Sequence, residues 1–397
     1  MKNFVFISPN FPENYWMFCN ELKNNGLRVL GIGDCPYDQL KKELQGALHE
    51  YYKVSSLENN EEVYRAVAFF IHKYGKIDYL ESNNEYWLER DAWLRTQYHI
   101  TSGFQEADME KVKRKSAMKA YYAKAGIPTA RYHLVEGYDA AAAFANQVGY
   151  PVVVKPDNGV GASSTYRLHS DAELQYFMAT KDPSVSYIME EMVRGVVCTY
   201  DAIIDSKGQA IFESGNVTPH SLMDVVNESR ECLYYIHKEL PADIRDVGMR
   251  TVAAFGVKSR FVHLEFFRLS EDQEGLGKAG DLVGLEVNMR PSGGYTPDMY
   301  NYAYETDVYK IWADMIAFDC STKPLGRRHF CVFCGRRDGV SYKMDHDAVM
   351  AKYGHCMVMQ GRTPEALSGA MANVIYMVNL DTDEEREAYY RDLLERA

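Results

Sequence analysis

No apolar run in this 397-residue chain approaches the length of about 18 residues that a membrane-spanning helix needs. The FVFISP stretch after Lys2 is too short for the hydrophobic region of a secretion signal. A cytoplasmic protein without a membrane partner is expected. The eight cysteines, at positions 19, 35, 198, 232, 320, 331, 334 and 356, lack the spacing of a disulfide framework and are expected to be reduced. Cys331 and Cys334 form one C-x-x-C, with His355 and Cys356 further on, but there is no second such pair for a zinc site. The pair lies in the strand-like HFCVFC, where residues three apart point to opposite faces, so ordinary strand packing is favoured. Positive charge is also in short supply: 44 basic against 56 acidic residues leave a net charge of -12, which argues against a general nucleic-acid binder. A local basic pocket for phosphate stays open. No G-x-G-x-x-G follows the first strand and no G-x-x-x-x-G-K-[ST] occurs, so neither a dinucleotide loop nor a Walker A loop is available.

What is there begins with alternation. NFVFIS, ENYWMFCNELKNNG and LRVLGIGD read as strand, helix and strand, with Gly26 stopping the helix. EEVYRAVAFFIHKYG, stopped by Gly75, then leads to the strand IDYLES and the helix EYWLERDAWLRTQY. That rhythm predicts a parallel sheet covered by helices, with ligands at the carboxyl ends of its strands, where the loops SPNFPENYW and SNNEYW lie. The character changes near residue 105. A basic helix, MEKVKRKSAMKAYYAKAG, follows; Lys111, Lys113, Arg114, Lys115 and Lys119 would ordinarily be a solvated face, from which one side chain could turn inward. GYDAAAAFANQVG reads as a further helix, with Asp139 as its N-cap and Gly149 as its stop.

Three stretches carry chemistry. YPVVVKPDNGVGASSTYRL is a strand ending in Lys155, a loop with Gly159, Gly161, Ser163 and Ser164, and another strand; small residues let backbone N–H groups approach phosphate, and Lys155 adds a point charge. SYIMEEMVRG offers backbone groups around Glu191, Met192 and Val193 to pair with an adenine edge. VGLEVNMRPSGG, residues 283–294, places Glu286, Asn288 and Arg290 on one strand face and Leu285, Val287 and Met289 on the other. Upstream, FVHLEFFRL puts His263 and Glu265 on a common face, and the polar SEDQEGLGKAGD between the two reads as a hairpin loop, which brings Glu265 near Glu286 and Asn288. Two carboxylates and an amide oxygen suit a hard cation, and the arginine beside them suggests that the cation carries phosphate. The plainer alternative is a salt-bridged, solvated strand face.

The order of these stretches resembles the ATP-grasp superfamily over about residues 105–320, with a preATP-grasp-like lobe before it. The resemblance implies an α/β and α+β architecture. It comprises a Rossmann-like preATP-grasp domain (1–104), a two-lobed ATP-grasp domain (105–320, lid about 127–190) and a small C-terminal α+β module (321–397). It further implies that Lys115 and Lys155 contact nucleotide phosphates, that Gly159, Gly161, Ser163 and Ser164 cover them, and that Glu190, Glu191, Met192 and Val193 hold adenine. Glu265, Glu286 and Asn288 would bind one or two Mg2+ ions, with Mn2+ as a substitute, and Arg290 would face the transferred phosphate or the substrate acid. One departure bears on ribose: many members carry G-x-E after the hinge, whereas here Gly195 is followed by Val196 and Val197.

The activity implied is ATP-dependent ligation, in which a carboxylate is activated as an acyl phosphate and joined to an amine, with ADP and phosphate released. ATP, a small carboxylate and an amine, such as amino acids, are the implied partners, and a homodimer is compatible. An ATP-grasp kinase, a carboxyphosphate-forming enzyme and a non-catalytic nucleotide-binding regulator remain as alternatives. His220, Arg230 and the Tyr295 region are further candidates for substrate recognition. In the C-terminal region HFCVFCG and CMVMQG are expected as strands, TPEALSGAMANVIYMVN as a helix and DEEREAYYRDLLERA as a closing helix.

Overall fold

The computed structural model describes residues 1–159, 164–219, 225 and 229–397. Strands β1 (Asn3–Ile7), β2 (Arg28–Gly33), β3 (Glu50–Lys53) and β4 (Tyr79–Glu81) form a parallel sheet in the order β3-β2-β1-β4. The strands of such a sheet are buried on both faces and so read as continuous apolar runs. In β1, Phe4 and Phe6 pack with Phe18 and Leu22 of the helix Trp16–Asn24, whereas Val5 and Ile7 pack with Val63, Val67 and Phe70 of the helix Asn60–Tyr74.

An antiparallel sheet follows, made of β5 (Tyr132–Leu134), β6 (Val152–Pro156), β7 (Tyr166–Leu168) and β8 (Tyr187–Glu191) in the order β5-β8-β6-β7. Val152, Val154 and Met189 cover the helices Tyr138–Val148 and Asp171–Thr180 through Ala141, Ala145, Leu174 and Phe177. Register places Val153 opposite Glu190 and Lys155 opposite Ile188, so Lys155 and Glu190 share the other face.

The remaining strands, β9 (Gly195–Ile204), β10 (Ala210–Ser214), β11 (Asn216–Thr218), β12 (Cys232–Ile236), β13 (Arg260–Leu269), β14 (Leu282–Asn288), β15 (Phe330–Arg336), β16 (Met357–Arg362) and β17 (Val374–Leu380), build one large sheet. Its order is β14-β13-β9-β11-β12-β15-β17-β16, with β10 also on β9. The C-terminal strands therefore continue the central sheet through β12. One face of β9, β13 and β14, including Tyr200, Leu264, Phe266 and Val287, packs on the helices Lys115–Lys124 and Ala242–Phe255. Fully burying a side chain of this size contributes about 1.5–3 kcal/mol. Gly284 is required by this packing, because a Cβ there would lie 2.7 Å from the Tyr122 ring.

Cys331 and Cys334 do point to opposite faces: Cys331 joins the core around Trp312, and Cys334 the core around Val349 and Tyr389. Burial pushes both thiols up. Among the described residues, no group of three or more His, Cys, Asp or Glu side chains could hold a metal ion, and no helix is long and apolar enough to cross a membrane.

Three expectations are corrected. The basic segment is two helices, Met109–Lys113 and Lys115–Lys124, separated at Arg114, whose φ of -93° and ψ of 118° are extended. Asp139 lies in the first turn of its helix, and Gly137 is the N-cap. TPEALSGAMANVIYMVN is not one helix: the helix Glu365–Met371 ends where Ala372 takes φ 64°, and Val374–Leu380 is β17.

Candidate active site

The second face of β9, β13 and β14 is polar, as the two-residue spacing predicts. Thr199 and Asp201 on β9 stand opposite Glu265 and His263 on β13, which in turn face Glu286 and Asn288 on β14. The Asn288 amide donates to Glu265 Oε1 at 3.2 Å, so the hairpin brings together the predicted carboxylate pair and amide. His263 lies between Asp201, 2.6 Å from Nδ1, and Glu265, 3.2 Å from Nε2. Burial opposes protonation of this imidazole, but Asp201 and then Glu265 outweigh it and lift its pKa to about 9. Burial likewise raises both carboxyls. His263, Arg290 and Lys155 nevertheless hold Glu265 below its ordinary value, whereas Glu286 stays above it because Lys115 offsets burial only in part and Glu265 adds repulsion.

Two lysines reach this face. Lys115, the first residue of its helix, lies 3.1 Å from Glu286 Oε1 and donates to the Gly159 carbonyl at 3.2 Å. The helix start is anchored by Asp157, whose carboxylate accepts from Ser116 N at 2.8 Å and Ser116 Oγ at 2.9 Å. Lys155 on β6 pairs with Glu190 Oε2 at 2.7 Å, and Lys119 takes Glu190 Oε1 at 2.5 Å. Burial would raise the Glu190 carboxyl, yet Lys155 and Lys119 bring it down to about 2. The same Glu190, with Glu286 and Glu265, overcomes burial to raise Lys155.

At the hinge between β8 and β9, the Glu191 carboxylate is taken by Arg131, through its backbone N at 2.7 Å and Nη2 at 2.6 Å. Gln273 spans the hinge, donating to Met192 O at 2.9 Å and accepting from Arg194 N at 3.1 Å. The side chains of Glu190 and Glu191 are thus committed to ion pairs, and Met192 and Val193 offer the hinge backbone. Val196 and Val197 lie in β9, paired with Arg268 and Phe267. Gly159 and Ser164 flank the loop after β6, while Gly161, Ser163 and His220 lie outside the described residues.

Arg290 extends the row toward the first sheet. Its Nη2 lies 3.3 Å from Asn288 Oδ1, its Nη1 donates to the Pro291 carbonyl at 2.8 Å, and its Nε is 3.6 Å from Glu85 Oε2. Glu85 belongs to SNNEYW at the carboxyl end of β4, and Tyr15 from the other strand-exit loop donates to Asn83 O at 2.7 Å. Both loops named from the sequence therefore meet, and one of them reaches Arg290. Arg230 presents its carbonyl to Arg337 Nε at 2.8 Å, and Tyr295 is the N-cap of the helix Thr296–Tyr304.

Sequence reasoning did not single out Asp157 or Asp201, and it left Lys113 and Lys119 on a solvated face, although both are buried. The buried residues Lys115, Met118, Lys119 and Tyr122 follow the i, i+3, i+4, i+7 spacing of one helical stripe, and that period was the available signal.

The oxygen set of Glu265, Glu286 and Asn288 fits a hard divalent cation. Two carboxylates directly opposite each other, one held above its ordinary pKa, favour a positive ion between them, and Mg2+ is commonly held by one or two carboxylates plus phosphate rather than by a full protein cage. Lys115, Lys155 and Arg290 beside them are suited to phosphate oxygens.

Residues 111–193 match the family model described as the carbamoyl-phosphate synthase L chain, ATP binding domain. Among solved structures, an L-amino acid ligase from Bacillus licheniformis superposes with a TM-score of 0.70 at 15% identity, covering 100% of this chain and 99% of that one. The ADP complex of N5-carboxyaminoimidazole synthetase from Staphylococcus aureus gives a TM-score of 0.68 at 12% identity, with 98% and 96% covered. The biotin carboxylase domain of 2-oxoglutarate carboxylase from Hydrogenobacter thermophilus, in complex with MgADP, ADP and bicarbonate, gives 0.67 at 15% identity, with 99% and 89% covered. The chain shares the fold of these ATP-grasp ligases, with a parallel-sheet lobe followed by antiparallel sheets.

Proposed function

We propose that this ATP-grasp chain is an ADP-forming ligase that activates a substrate carboxylate as an acyl phosphate and joins it to an amine. The observation that carries the reading is the convergence of Lys115 and Lys155 with Glu265, Glu286, Asn288 and Arg290. Neighbouring structures of the same fold bind ADP, MgADP or bicarbonate, which agrees with ATP and Mg2+ as the ligands here.

Lys115 and Lys155 would take phosphate oxygens of ATP in place of their present carboxylate partners. Gly159, Gly161, Ser163 and Ser164 would cover the phosphates, and the hinge at Met192 and Val193 would hold adenine, the Met192 carbonyl having a second lone pair beside the one taken by Gln273. Glu265, Glu286 and Asn288 would hold Mg2+, which when bound screens the charge of the triphosphate. Arg290 would orient the acid and the γ-phosphoryl oxygens. A carboxylate oxygen attacks the γ-phosphorus, the bond to the bridging oxygen of ADP breaks, and the amine nitrogen then displaces phosphate from the acyl carbon while giving its proton to solvent. The residues supply position and charge compensation rather than a nucleophile. Domain limits at 1–104, 105–320 and 321–397, with a lid over about 127–190, follow from the same reading.

The test is a panel of carboxylic and amino acids, with amine acceptors, scored for ADP and phosphate release with Mg-ATP and for product mass. Release of ADP and phosphate together with a condensed product is expected. AMP and pyrophosphate with the true substrate would overturn the ligase reading, and so would the absence of any acid-dependent turnover.

A further inference from the structure

Glu85 is held in an unusual state for a buried carboxylate. It lies in the turn Glu85–Trp87 with 7% of its surface exposed. Lys113 grips it twice, donating from Nζ to Glu85 Oε1 at 2.8 Å and to the Glu85 carbonyl at 3.3 Å, which fixes the side chain. The other oxygen, Oε2, is buried and accepts no hydrogen bond; Arg290 Nε stands off at 3.6 Å. Two residues earlier Asn83, 2% exposed and at φ 54°, carries a buried Nδ2 that also lacks a partner, while its carbonyl is held by Tyr15. Buried polar groups ordinarily find partners, and a fixed acceptor that lacks a hydrogen bond and stands beside Arg290 of the candidate site marks the place of a ligand donor.

The partner's chemistry follows from the neighbours. Glu85 Oε2 requires a donor, best a cation, and Arg290 beside it presents the N–H groups suited to a carboxylate. These two recognition points are adjacent, so one small molecule that satisfies both must carry its positive and negative groups on the same or neighbouring carbons. We propose that Glu85 is a specificity-determining residue that receives the ammonium group of an α-amino acid whose carboxylate lies at Arg290. This deepens the ligase reading and rests on it: the acid that is activated is a zwitterionic α-amino acid.

Calorimetric titration in the presence of MgADP tests the proposal separately from turnover. The probes are the proteinogenic L-amino acids and, for each that binds, the same acid lacking the α-amino group. Loss of the amine should weaken binding roughly tenfold or more, as expected for a charge-assisted hydrogen bond. Glu85→Gln, which keeps an oxygen for Lys113, should erase that preference while the MgADP dissociation constant stays within twofold. Glu85→Asp, which keeps the charge, should retain the preference should the glutamine variant fail to fold. Equal binding of both acids by the wild-type chain overturns the proposal, as does an unchanged preference in Glu85→Gln. ADP-forming turnover with acids that lack an amine, without amino-acid binding, overturns it and leaves the ligase reading intact. Selective amino-acid binding without ADP release upholds the site and overturns the ligase reading instead.

Discussion

Glu265 and Glu286 are direct partners across the β13–β14 ladder, so two carboxylates face each other where like charges destabilise a sheet. Lys115 at 3.1 Å from Glu286 and His263 at 3.2 Å from Glu265 compensate them from outside the pair. A cation placed between the two would relieve the remaining repulsion. A strand pair that kept two opposed carboxylates for stability alone would be a poor arrangement, which is the physical reason for proposing this pair as metal ligands.

Glu286→Gln keeps the size and one oxygen of the side chain but removes the charge that a hard cation requires. Turnover should fall by about 100-fold or more while nucleotide binding is weakened much less, because the hinge and Lys155 are untouched. Steady-state rates across a Mg2+ titration, together with ADP binding by calorimetry, check this. Near-normal Mg2+-dependent turnover in the variant would remove Glu286 from the metal site.

Lys155→Ala deletes one of the two ammonium groups expected at the phosphates. The loss of a charged contact is about 1.5–3 kcal/mol, so affinity for ATP should drop roughly tenfold or more. Glu190 retains Lys119 at 2.5 Å, so the fold should survive the change. An unchanged ATP dissociation constant in a folded variant would refute the role.

Glu190 ties the antiparallel lobe to the central one, because Lys155 comes from β6 and Lys119 from the helix Lys115–Lys124. Glu190→Gln leaves two buried ammonium groups facing an amide, and removing one partner of a buried ionic set typically costs about 3–5 kcal/mol. Phosphate oxygens would resupply negative charge, so Mg-ATP should raise the unfolding midpoint of the variant more than that of the wild type. Denaturant titrations with and without nucleotide decide it; an equal increment in both proteins would separate Lys155 from the phosphates.

The β13–β14 hairpin was legible because two independent signals agreed: alternation of polar and apolar residues from Val262 to Phe266 and from Leu285 to Arg290, and a polar, glycine-bearing loop between the strands. Within the resulting face Asn288 donates to Glu265 and Arg290 to Asn288, while Glu286 stands opposite Glu265 across the ladder. Lys119 was harder to place, since a lysine-rich run reads as solvated unless its helical period is followed. There Met118 and Tyr122 mark the buried stripe on which Lys115 and Lys119 also lie. Asp201 was invisible for a different reason. Its partner His263 lies 62 residues away, and only strand pairing brings them together. β17 was misread because ALSGAMA favours a helix that is cut at Ala372 by a positive φ, which composition does not announce, although the β-branched and aromatic VIYMV that follows does favour a strand.

Acid stability offers a check remote from the site. His237 follows β12, its Nε2 is buried without a partner, and burial, then Arg268 and Arg386, lower its pKa from 6.5 to about 4. A proton therefore binds the unfolded chain more tightly than the folded one. The neutral imidazole's contribution is complete above pH 6.5 and is lost as pH falls from 6.5 toward 4. Between pH 7.5 and 5 this single group should cost the folded state about 2 kcal/mol. His237→Gln cannot titrate and should lose correspondingly less stability over the same interval, whatever its stability at pH 7.5. Urea unfolding of both proteins at the two pH values measures the difference directly. Parallel losses in wild type and variant would mean that His237 protonates in the folded protein as readily as in the unfolded one, and that its burial and the charges of Arg268 and Arg386 do not keep it neutral.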